Sequence, residues 1–386
     1  MSEEPRPFRC EVSDEVLADL KSRLARTRYP DQLEGAGWDY GSDLAYVKAL
    51  CDYWRDEFDW RAAEARFNRF PQFTSEINGE HVHFYHARSP EPDATPLIIT
   101  HGYPGSVAEF LDVIAPLSDP ASHGGDPRDA FHVIAPSIPG YGFSGPTRHK
   151  GFNIDKAAAV NTRIMELLGY DRYIAQGGDW GSATSSGMAR SHPERVIALH
   201  INLIVGRPAD PANPLDGVTD EERADLEWKR NYDLHEAGYQ AIQGTKPQSL
   251  AYGMTDSPAG LAAWIVEKFK TWSDCGDDIE MSFTKDQLLE NIMLYWITGT
   301  INSAMRLYYE GIGPGRASMA GFMNRIETPP GHARFPAEIR PTPRVWAEQM
   351  YNIVRWTKMP KGGHFAAHEV PELFIDEIRA FARPFR

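Results

Sequence analysis

Cysteine is scarce in this sequence of 386 residues, and positive charge is outnumbered by negative charge. The three cysteines, Cys10, Cys51 and Cys275, lie far apart and form no Cys-x-x-Cys pair. This pattern excludes a disulfide framework and a thiolate zinc site, and it is typical of a reducing compartment. With 40 Lys and Arg against 54 Asp and Glu, the net charge is −14. Nucleic-acid binding needs a basic surface, so we expect no such partner.

Long hydrophobic runs are also missing. The first ten residues contain no basic stretch followed by an apolar one, so we predict no signal peptide. The longest apolar-rich run, residues 196–205, is interrupted by His200 and Asn202 and is far too short for a membrane span. We therefore expect a globular, cytoplasmic protein without a membrane anchor.

Cofactor and metal motifs are absent as well. Gly311, Gly313 and Gly315 are spaced loosely like a phosphate-binding loop, but Pro314 interrupts them and no strand precedes them. No histidine pair or carboxylate cluster has the spacing of metal ligands. We expect neither a cofactor nor a metal.

The hydrophobic pattern divides the chain into four segments. Residues 1–95 contain amphipathic helices and a hairpin signal, which indicates an N-terminal extension. Residues 96–205 alternate short apolar strands with helices, a pattern typical of a parallel sheet covered on both faces. Residues 206–320 are mostly helical and rich in Trp and Tyr, and residues 321–386 return to strands and a helix. We predict an α/β core interrupted by a helical insertion, the lid.

Individual elements follow from local signals. Ser13 is a helix cap, and Tyr29-Pro30 ends that helix; a second helix is predicted over 43–58 and a hairpin turn at Asn78-Gly79. The predicted strands of the core are 97–100, 131–135, 172–176, 196–205, 325–328 and 353–359, and helices are predicted over 154–168, 182–191 and 371–381.

The strongest chemical signal is the sequence Gly177-Gly178-Asp179-Trp180-Gly181 between the third core strand and a helix. This is the small-x-nucleophile-x-small pattern of the nucleophile elbow in α/β-hydrolases. The turn crowds the residues two before and two after the nucleophile, and both are glycine here. The alternative, a tight turn with a capping aspartate, becomes less favourable in view of the rest of the chain.

A histidine and a second carboxylate follow in the order of the hydrolase triad. His364, in the loop-like Gly362-Gly363-His364-Phe365, comes just after the last predicted strand. His368 and His192 are less well placed. For the carboxylate, Glu338 follows the preceding strand region, and Glu327 competes with it when the residues alone are considered.

An aspartate nucleophile restricts the class of substrate. Asp179 is ionised at neutral pH without a base to activate it. Attack on a saturated carbon gives an ester, which a histidine-activated water can hydrolyse, whereas a serine would give a stable ether. Asp179 therefore predicts an epoxide or a haloalkane as substrate.

Hydrolysis of that ester needs donors for the oxyanion. We expect the backbone N–H of Trp180 to be one and that of Tyr103, after the first core strand, to be the other. Pro104 would fix this loop through a cis bond. For His101 we favour a structural hydrogen bond.

These motifs together resemble the microsomal-type epoxide hydrolases of the α/β-hydrolase superfamily over nearly the whole chain. The matching segments are GWDYG at 37–41, YWR at 53–55, HGYP at 101–104, GDWG at 178–181, FPAE at 335–338 and GGHFAA at 362–367. The resemblance implies an epoxide hydrolase, and it favours Glu338 over Glu327 because glutamate is the usual third member in that branch. Mammalian members carry a membrane anchor before the extension, which this sequence does not show.

The resemblance also implies two lid tyrosines that bind the epoxide oxygen. Local motifs match them to Tyr239, in GYQAIQ, and Tyr308, in RLYYE. Tyr309 is adjacent, but neighbouring helical residues diverge by about 100°, so only one of the pair should face the pocket.

Two other functions stay open at this stage. A haloalkane dehalogenase shares the Asp-Trp step, although lid tyrosines argue against it, and an inactive hydrolase fold could serve as a binding protein. The Trp-rich lid is compatible with a bulky or aromatic epoxide, and both detoxification and secondary-metabolite biosynthesis are compatible with such an enzyme. A homodimer is open too, and the apolar extension would contribute to it.

Overall fold

A computed structural model describes residues 3–315 and 324–386 of the chain. Within these residues, strands from the N-terminal, middle and C-terminal parts of the chain form one sheet. The strands are β1 (Arg6–Phe8), β2 (Gln72–Ile77), β3 (Glu80–Ala87), β4 (Thr95–Thr100), β5 (Phe131–Pro136), β6 (Tyr173–Gly177), β7 (Val196–Ile201), β8 (Pro330–Arg334) and β9 (Arg355–Lys358).

The strands lie in the order β1-β2-β3-β5-β4-β6-β7-β8-β9. The pairs from β1 to β5 are antiparallel, and all pairs from β5 through β4 to β9 are parallel. The central strands β4, β5 and β6 are almost wholly buried, as expected for a parallel sheet with helices on both faces. The predicted mostly parallel α/β core is confirmed.

The helices fall into three groups along the chain. The N-terminal group is α1 (Asp14–Ala25), α2 (Leu44–Asp56) and α3 (Trp60–Phe67); the core group is α4 (Ile114–Ser118), α5 (Ile154–Leu167), α6 (Asp179–Ser191), α13 (Arg344–Ala347), α14 (Ala366–Glu369) and α15 (Pro371–Ala382); the insertion holds α7 (Asp220–His235), α8 (Gly238–Thr245), α9 (Pro247–Asp256), α10 (Pro258–Thr271), α11 (Lys285–Thr298) and α12 (Ile301–Gly311). No helix of the described segments is both long enough and apolar enough to cross a bilayer.

The N-terminal helices contact the insertion directly. Arg23 of α1 forms an ion pair with Asp256 at 2.9 Å, and the hydroxyl of Tyr53 in α2 donates to Asp286 at 2.8 Å. Between these contacts, the Ser42 hydroxyl donates to the carbonyl of Ala263 in α10 at 2.5 Å. The extension therefore lies against the insertion as well as against the sheet.

The four predicted segments are not separate layers. Strands β1, β2 and β3 come from residues 1–95, yet they lie in the same sheet as the core strands. The predicted boundary between residues 320 and 321 lies outside the described residues. The division of the chain thus stays a prediction.

Several local predictions need correction. Residues 325–328 do not form the predicted strand, since only Ile326 makes an isolated bridge, to Tyr351. The strand of this region is instead β8, whose sequence Pro-Gly-His-Ala-Arg lacks the β-branched and aromatic residues that signal a strand. Its parallel pairing with β7 and β9 overrides that weak propensity. Strand β7 ends at Ile201, before residue 205, and β1 and α3 were missed.

Candidate active site

A sharp turn joins β6 to α6 and carries Asp179 at its apex. The φ angle of Asp179 is 47°, in the left-handed region that few residues other than glycine adopt. A Cβ on Gly177 would lie 2.2 Å from the backbone of Gly181, and a Cβ on Gly181 would lie 1.8 Å from the carbonyl oxygen of Thr100. Strand and helix thus approach too closely for any other residue at these two positions, and the elbow predicted from the glycine spacing is present.

The carboxylate of Asp179 meets the loop that follows β4. The backbone N–H of Tyr103 donates to its Oδ1 at 2.8 Å, and the Tyr103–Pro104 bond is cis. Trp180 is the second residue of α6, so its N–H belongs to the helix turn whose amides have no intrahelical acceptor. Of the two predicted oxyanion donors, the Tyr103 amide contacts the carboxylate directly. The Trp180 amide belongs to the residue that follows Asp179 in α6.

Helix α11 of the insertion holds this loop. The side-chain amide of Asn291 donates to the carbonyl of Pro104 at 2.8 Å and accepts from the hydroxyl of Ser106 at 2.7 Å. The hydroxyl of Tyr295, one turn further along α11, donates to the carbonyl of Gly105 at 2.7 Å. All of these contacts are buried, so the position of the Tyr103 amide depends on the insertion.

His101 has a structural hydrogen-bond pattern, as expected. Its Nε2 accepts from the backbone N–H of Ile138 at 3.1 Å, and its Nδ1 lies 3.0 Å from the carbonyl of Gly102. Burial lowers the pKa of His101 to about 4, so the ring is neutral at physiological pH.

His364 lies on the loop between β9 and α14, with its side chain 2% exposed. Its Nδ1 is 2.9 Å from the nearer oxygen of Glu338, and its Nε2 is 3.6 Å from Oδ2 of Asp179, slightly beyond hydrogen-bond distance. The backbone N–H of His364 donates to the carbonyl of Trp272 at 2.9 Å, which anchors the loop. The imidazole is thus held between two carboxylates.

The charge state of His364 reflects these neighbours. Burial by itself would lower the pKa of His364, but the charges of Glu338 and Asp179 and the hydrogen bond to Glu338 raise it well above its usual value. The two carboxylates thus favour the protonated form of the ring.

The structure separates the two candidate glutamates. Glu338 lies in the loop after β8, is buried, and also accepts from the backbone N–H of Arg340 at 3.3 Å. Glu327 has a side chain 72% exposed and forms an ion pair with Arg325 at 3.2 Å. Only Glu338 is close to His364.

A cavity of ≈ 300 Å³ opens beside Asp179, and Tyr239 and Tyr308 line it. The ring centroids of the two tyrosines are 5.7 Å apart, and the ring of Tyr308 packs edge-on against Trp180 at 4.9 Å. Tyr309 is not among the lining residues, in line with the predicted divergence along α12. Burial, with a contribution from the charge of Asp179, raises the pKa of both lining tyrosines. Both phenols are therefore neutral hydrogen-bond donors.

The apolar wall of this cavity is mainly aliphatic, formed by Ile154, Ala183, Leu203, Val205, Ile312 and Ile339. The tryptophans of the Trp-rich lid, Trp228, Trp264, Trp272 and Trp296, are not among its lining residues. Trp272 instead packs between Tyr239 and His364, with ring centroids 5.0 Å from each. Trp272 therefore packs against the rings of Tyr239 and His364 without facing the cavity.

A hydrogen-bonded chain orients Tyr239. The guanidinium of Arg340 donates to Oε1 of Gln240 at 3.1 Å, and Nε2 of Gln240 donates to the hydroxyl of Tyr239 at 2.9 Å. Because a guanidinium only donates, the amide oxygen must face Arg340 and the amide nitrogen must face the phenol. The phenol oxygen is then an acceptor for Gln240, which leaves its own proton free to point elsewhere.

Sequence analysis missed several polar residues around the site, namely Glu109, Gln240, Lys268 and Arg340. Lys268 is buried, pairs with Glu267, and lies 4.8 Å from the ring centroid of Tyr239. Glu109 carries the one signal that the sequence offers, an acidic residue in the apolar Ser-Val-Ala-Glu-Phe stretch just after the HGYP motif. Among the described residues, no group of three or more His, Cys, Asp or Glu side chains is placed to hold a metal ion.

Comparisons with known proteins agree with this geometry. A family model for the N terminus of epoxide hydrolases matches residues 5–110, and one for the alpha/beta hydrolase fold matches residues 95–244. Epoxide hydrolase 1 of Sus scrofa is 39% identical over 405 residues, which covers 97% of this chain and 88% of the relative.

Solved structures show the same similarity over the whole chain. Juvenile hormone epoxide hydrolase of the silkworm Bombyx mori superposes with a TM-score of 0.90 at 32% identity, covering 100% of this chain and 95% of the other. Aspergillus niger epoxide hydrolase gives a TM-score of 0.87 at 31% identity, covering 99% and 96%. The resemblance stated from the motifs is confirmed, and the chain belongs to the epoxide hydrolase family of the α/β-hydrolase fold.

Proposed function

We propose that this epoxide hydrolase converts its substrate to a vicinal diol through a covalent ester on Asp179. The observation that carries the proposal is the alignment of Asp179, His364 and Glu338, with Asp179 at the floor of a cavity that Tyr239 and Tyr308 also line. A carboxylate nucleophile and two neutral phenols in one apolar cavity suit an epoxide, whose carbon is attacked while its oxygen needs a hydrogen-bond donor.

In the first step, Asp179 attacks one carbon of the epoxide and the bond from that carbon to the epoxide oxygen breaks. The hydrogen bond from the Tyr103 amide to Oδ1 favours Oδ2 as the attacking oxygen. Tyr239 and Tyr308 donate hydrogen bonds to the developing alkoxide, which becomes a hydroxyl by taking a phenolic proton, and the phenolate regains a proton from solvent. The chain from Arg340 through Gln240 supports this role because it leaves the proton of Tyr239 free for the substrate.

In the second step, a water molecule attacks Cγ of the Asp179 ester. His364 takes one proton from the water at Nε2 and passes it to the leaving diol oxygen, while Glu338 stabilises the imidazolium from Nδ1. The amides of Tyr103 and Trp180 stabilise the oxyanion, each worth about 3 kcal/mol by comparison with a measured oxyanion donor. The regenerated carboxylate releases the proton that the first step consumed, so epoxide and water balance to diol.

Formation of the ester also prepares His364 for its role. The charge of Asp179 is one of the causes that raise the pKa of His364, and alkylation removes that charge. The pKa of the imidazole then falls, because an opposite charge nearby stabilises the protonated form. Ester formation thus shifts the histidine toward the neutral form that acts as a base.

Replacement of His364 tests the covalent route. Purified His364→Gln, mixed with a reactive epoxide such as styrene oxide, should gain the mass of one substrate molecule, and peptide mapping should locate it on Asp179. Asp179→Ala serves as the control and should gain no such mass. An unmodified His364→Gln variant under conditions in which the wild type turns over would contradict the proposal.

Haloalkane dehalogenation is the second candidate, and one observation favours it. The indole Nε1 of Trp180 is buried beside Asp179 and has no hydrogen-bond partner among the described residues, as expected for a halide-binding donor. The two phenols in the cavity favour epoxide hydrolysis instead, since departure of a halide does not need a phenol. Halide release from chlorinated alkanes, measured beside diol formation from a panel of aromatic and aliphatic epoxides, distinguishes the two activities.

The finer properties of the substrate and the setting are also proposals. The aliphatic wall of the cavity, together with the rings of Trp180, Tyr239 and Tyr308, supports a bulky apolar or aromatic epoxide. The three buried free cysteines support a reducing, cytoplasmic location. Such an enzyme is compatible with detoxification and with secondary-metabolite biosynthesis, and it is compatible with a homodimer. Its domains are the N-terminal extension (1–95), the core (96–205 and 321–386) and the lid (206–320).

A further inference from the structure

A buried carboxyl group next to the active site has no part in the steps above. Glu109 lies in a short helical turn (Val107–Phe110) that follows the Tyr103 loop, and it is 9% exposed. The charges of His364 and Asp179 both act on its carboxyl group. Burial of a carboxyl group without an ion-pair partner is unfavourable, so its presence here calls for a physical reason.

Glu109 lines a second, much smaller cavity. This cavity measures ≈ 20 Å³, against the roughly 10–15 Å³ that one water molecule needs. Asp179 and His364 line it as well, and among the described residues Asp179 is the single one that lines both this cavity and the larger one. Asp179 therefore separates the larger cavity, which can hold the substrate, from the smaller cavity, which can hold one water molecule.

The small cavity offers unused polar groups. Gln176 and Asn202 line it, and both are almost fully buried. Nε2 of Gln176 donates to Asn202 at 3.3 Å, whereas its Oε1 has no hydrogen-bond partner among the described residues. A water molecule donates two hydrogen bonds, and the carboxyl of Glu109, Oε1 of Gln176 and the neutral ring of His364 are all acceptors for them.

The position of the Glu109 carboxyl depends on Gly105. A Cβ on Gly105 would lie 1.6 Å from Oε1 of Glu109, so the glutamate occupies the space that any other residue at position 105 would fill. The clashing atom is the end of a flexible side chain, which can rotate away. A methyl group at position 105 would thus displace the carboxyl without changing its chemistry.

The carboxyl group of Glu109 suits contact with water during the second step. Burial raises the pKa of Glu109 to about 8, with the charge of His364 opposing the shift and that of Asp179 adding to it. The ester removes the charge of Asp179, and the neutral base form of His364 removes the opposing charge, so the two effects offset each other. In either protonation state, an oxygen of the carboxyl group can accept a hydrogen bond from the water while His364 removes the other proton.

We infer that Glu109 positions the hydrolytic water in the small cavity for attack on the Asp179 ester. The water lies on the side of Asp179 away from the substrate, with one proton directed to Glu109 and the other to Nε2 of His364. Its oxygen forms the bond to Cγ, the bond from Cγ to the diol oxygen breaks, and His364 returns its proton to that oxygen. This inference rests on the covalent route proposed above and concerns only its second step.

Separate measurement of the two steps tests the inference. Glu109→Gln and Gly105→Ala are mixed with styrene oxide in rapid-quench experiments, and mass spectrometry measures the fraction of alkyl-enzyme at steady state. We expect the rate of ester formation to stay within about twofold of wild type and the rate of ester hydrolysis to fall at least about tenfold. This loss is smaller than the loss typical for removal of a proton-transfer group, because the water keeps its other partners. The alkyl-enzyme should become the main species in both variants.

Glu290→Gln is the matched control. Glu290 is another buried carboxyl group with a raised pKa, about 7, but it pairs with Arg66 at 3.3 Å and lines neither cavity. This variant should lose stability without accumulating alkyl-enzyme. The inference is overturned if either Glu109→Gln or Gly105→Ala hydrolyses the ester at the wild-type rate, or slows ester formation as much as hydrolysis. Absence of any alkyl-enzyme in His364→Gln would instead refute the covalent route itself.

Discussion

At the scale of single residues, the two oxygens of Asp179 have different surroundings. Oδ1 accepts from the Tyr103 amide at 2.8 Å, and Oδ2 lies 3.6 Å from His364. The positive φ angle that turns the carboxylate toward the cavity follows from the close approach of Gly177 and Gly181, both of which are readable from the sequence. The backbone conformation of Asp179 is therefore determined by a few adjacent residues.

The two cavity tyrosines lead to a prediction about coupled substitutions. If both donate to the same epoxide oxygen, either phenol partly compensates for loss of the other. Tyr239→Phe and Tyr308→Phe should each lower kcat/KM by about tenfold, and the double variant should lose at least about a thousandfold, more than the product of the two. Initial rates of diol formation measure this.

Tyr309→Phe is the control for this pair, since Tyr309 is adjacent on α12 but does not line the cavity. It should keep kcat/KM within about twofold of wild type, as usual for substitutions away from the site. Strictly multiplicative losses in the double variant would show that the two phenols act on different groups.

At the scale of elements, α11 connects the insertion to the chemistry. Its Asn291 and Tyr295 bind the carbonyls of Pro104 and Gly105, so the helix fixes the loop that presents the Tyr103 amide. A Thr284–Gln287 capping box defines the start of this helix and thereby the position of both side chains. The insertion thus does more than cover the site.

Removal of the Asn291 side chain should affect both stability and activity. Asn291→Ala leaves the Pro104 carbonyl and the Ser106 hydroxyl without their partner in a buried region, which costs about 1–3 kcal/mol of unfolding free energy. Because the Tyr103 amide loses its support, kcat should fall as well. Urea unfolding and steady-state rates measure the two effects.

Asn302→Ala, at a hydrogen bond to Gln248 between α12 and α9, is the matched control. It should change unfolding free energy by less than about 0.5 kcal/mol and leave kcat unchanged. An Asn291→Ala variant with lowered stability and full activity would show that α11 does not position the loop that carries the Tyr103 amide.

The sequence predicts features that depend on neighbouring residues better than features that depend on contacts between distant residues. The tight turn at Asp179 and the helix cap at Ser13 depend on neighbours within a few positions, and the structure contains both. The contact of Asn291 with Pro104 spans 187 residues, and no local pattern signals it. Strand β8 was missed for the same reason, because pairing with distant strands determines it.

At the scale of the whole molecule, burial of ionisable groups sets the pH dependence of stability. Five of the buried histidines have pKa values that burial lowers to about 3 or 4: His83, His101, His200, His332 and His368. Three buried glutamates have pKa values raised by burial to about 7 or 8: Glu109, Glu290 and Glu369. The two sets act at opposite ends of the pH range.

Unfolding free energy should therefore be highest near about pH 6. Below pH 6.5, the unfolded histidines take up protons that the folded ones exclude, so stability falls as pH decreases toward 4. Above pH 4.5, the unfolded glutamates lose protons that the folded ones retain, so stability falls as pH rises toward 8. Urea unfolding across pH 4 to 9 measures both limbs.

His200→Leu isolates the acid limb. Both ring nitrogens of His200 lack a hydrogen-bond partner within the described segments, so leucine should be tolerated. The variant should take up about one proton fewer on unfolding in acid than the wild type does. An unchanged acid limb would show that His200 is protonated in the folded state.

Formation of an ester on Asp179 is the central claim, and labelled water tests it most directly. Enzyme in excess over styrene oxide is allowed one turnover in water enriched in oxygen-18, and the diol is analysed by mass spectrometry. The account predicts an unlabelled diol, because its new oxygen comes from the Asp179 carboxylate, and label in Asp179 instead. A diol labelled in the first turnover would show that water attacks the epoxide directly and would contradict the account.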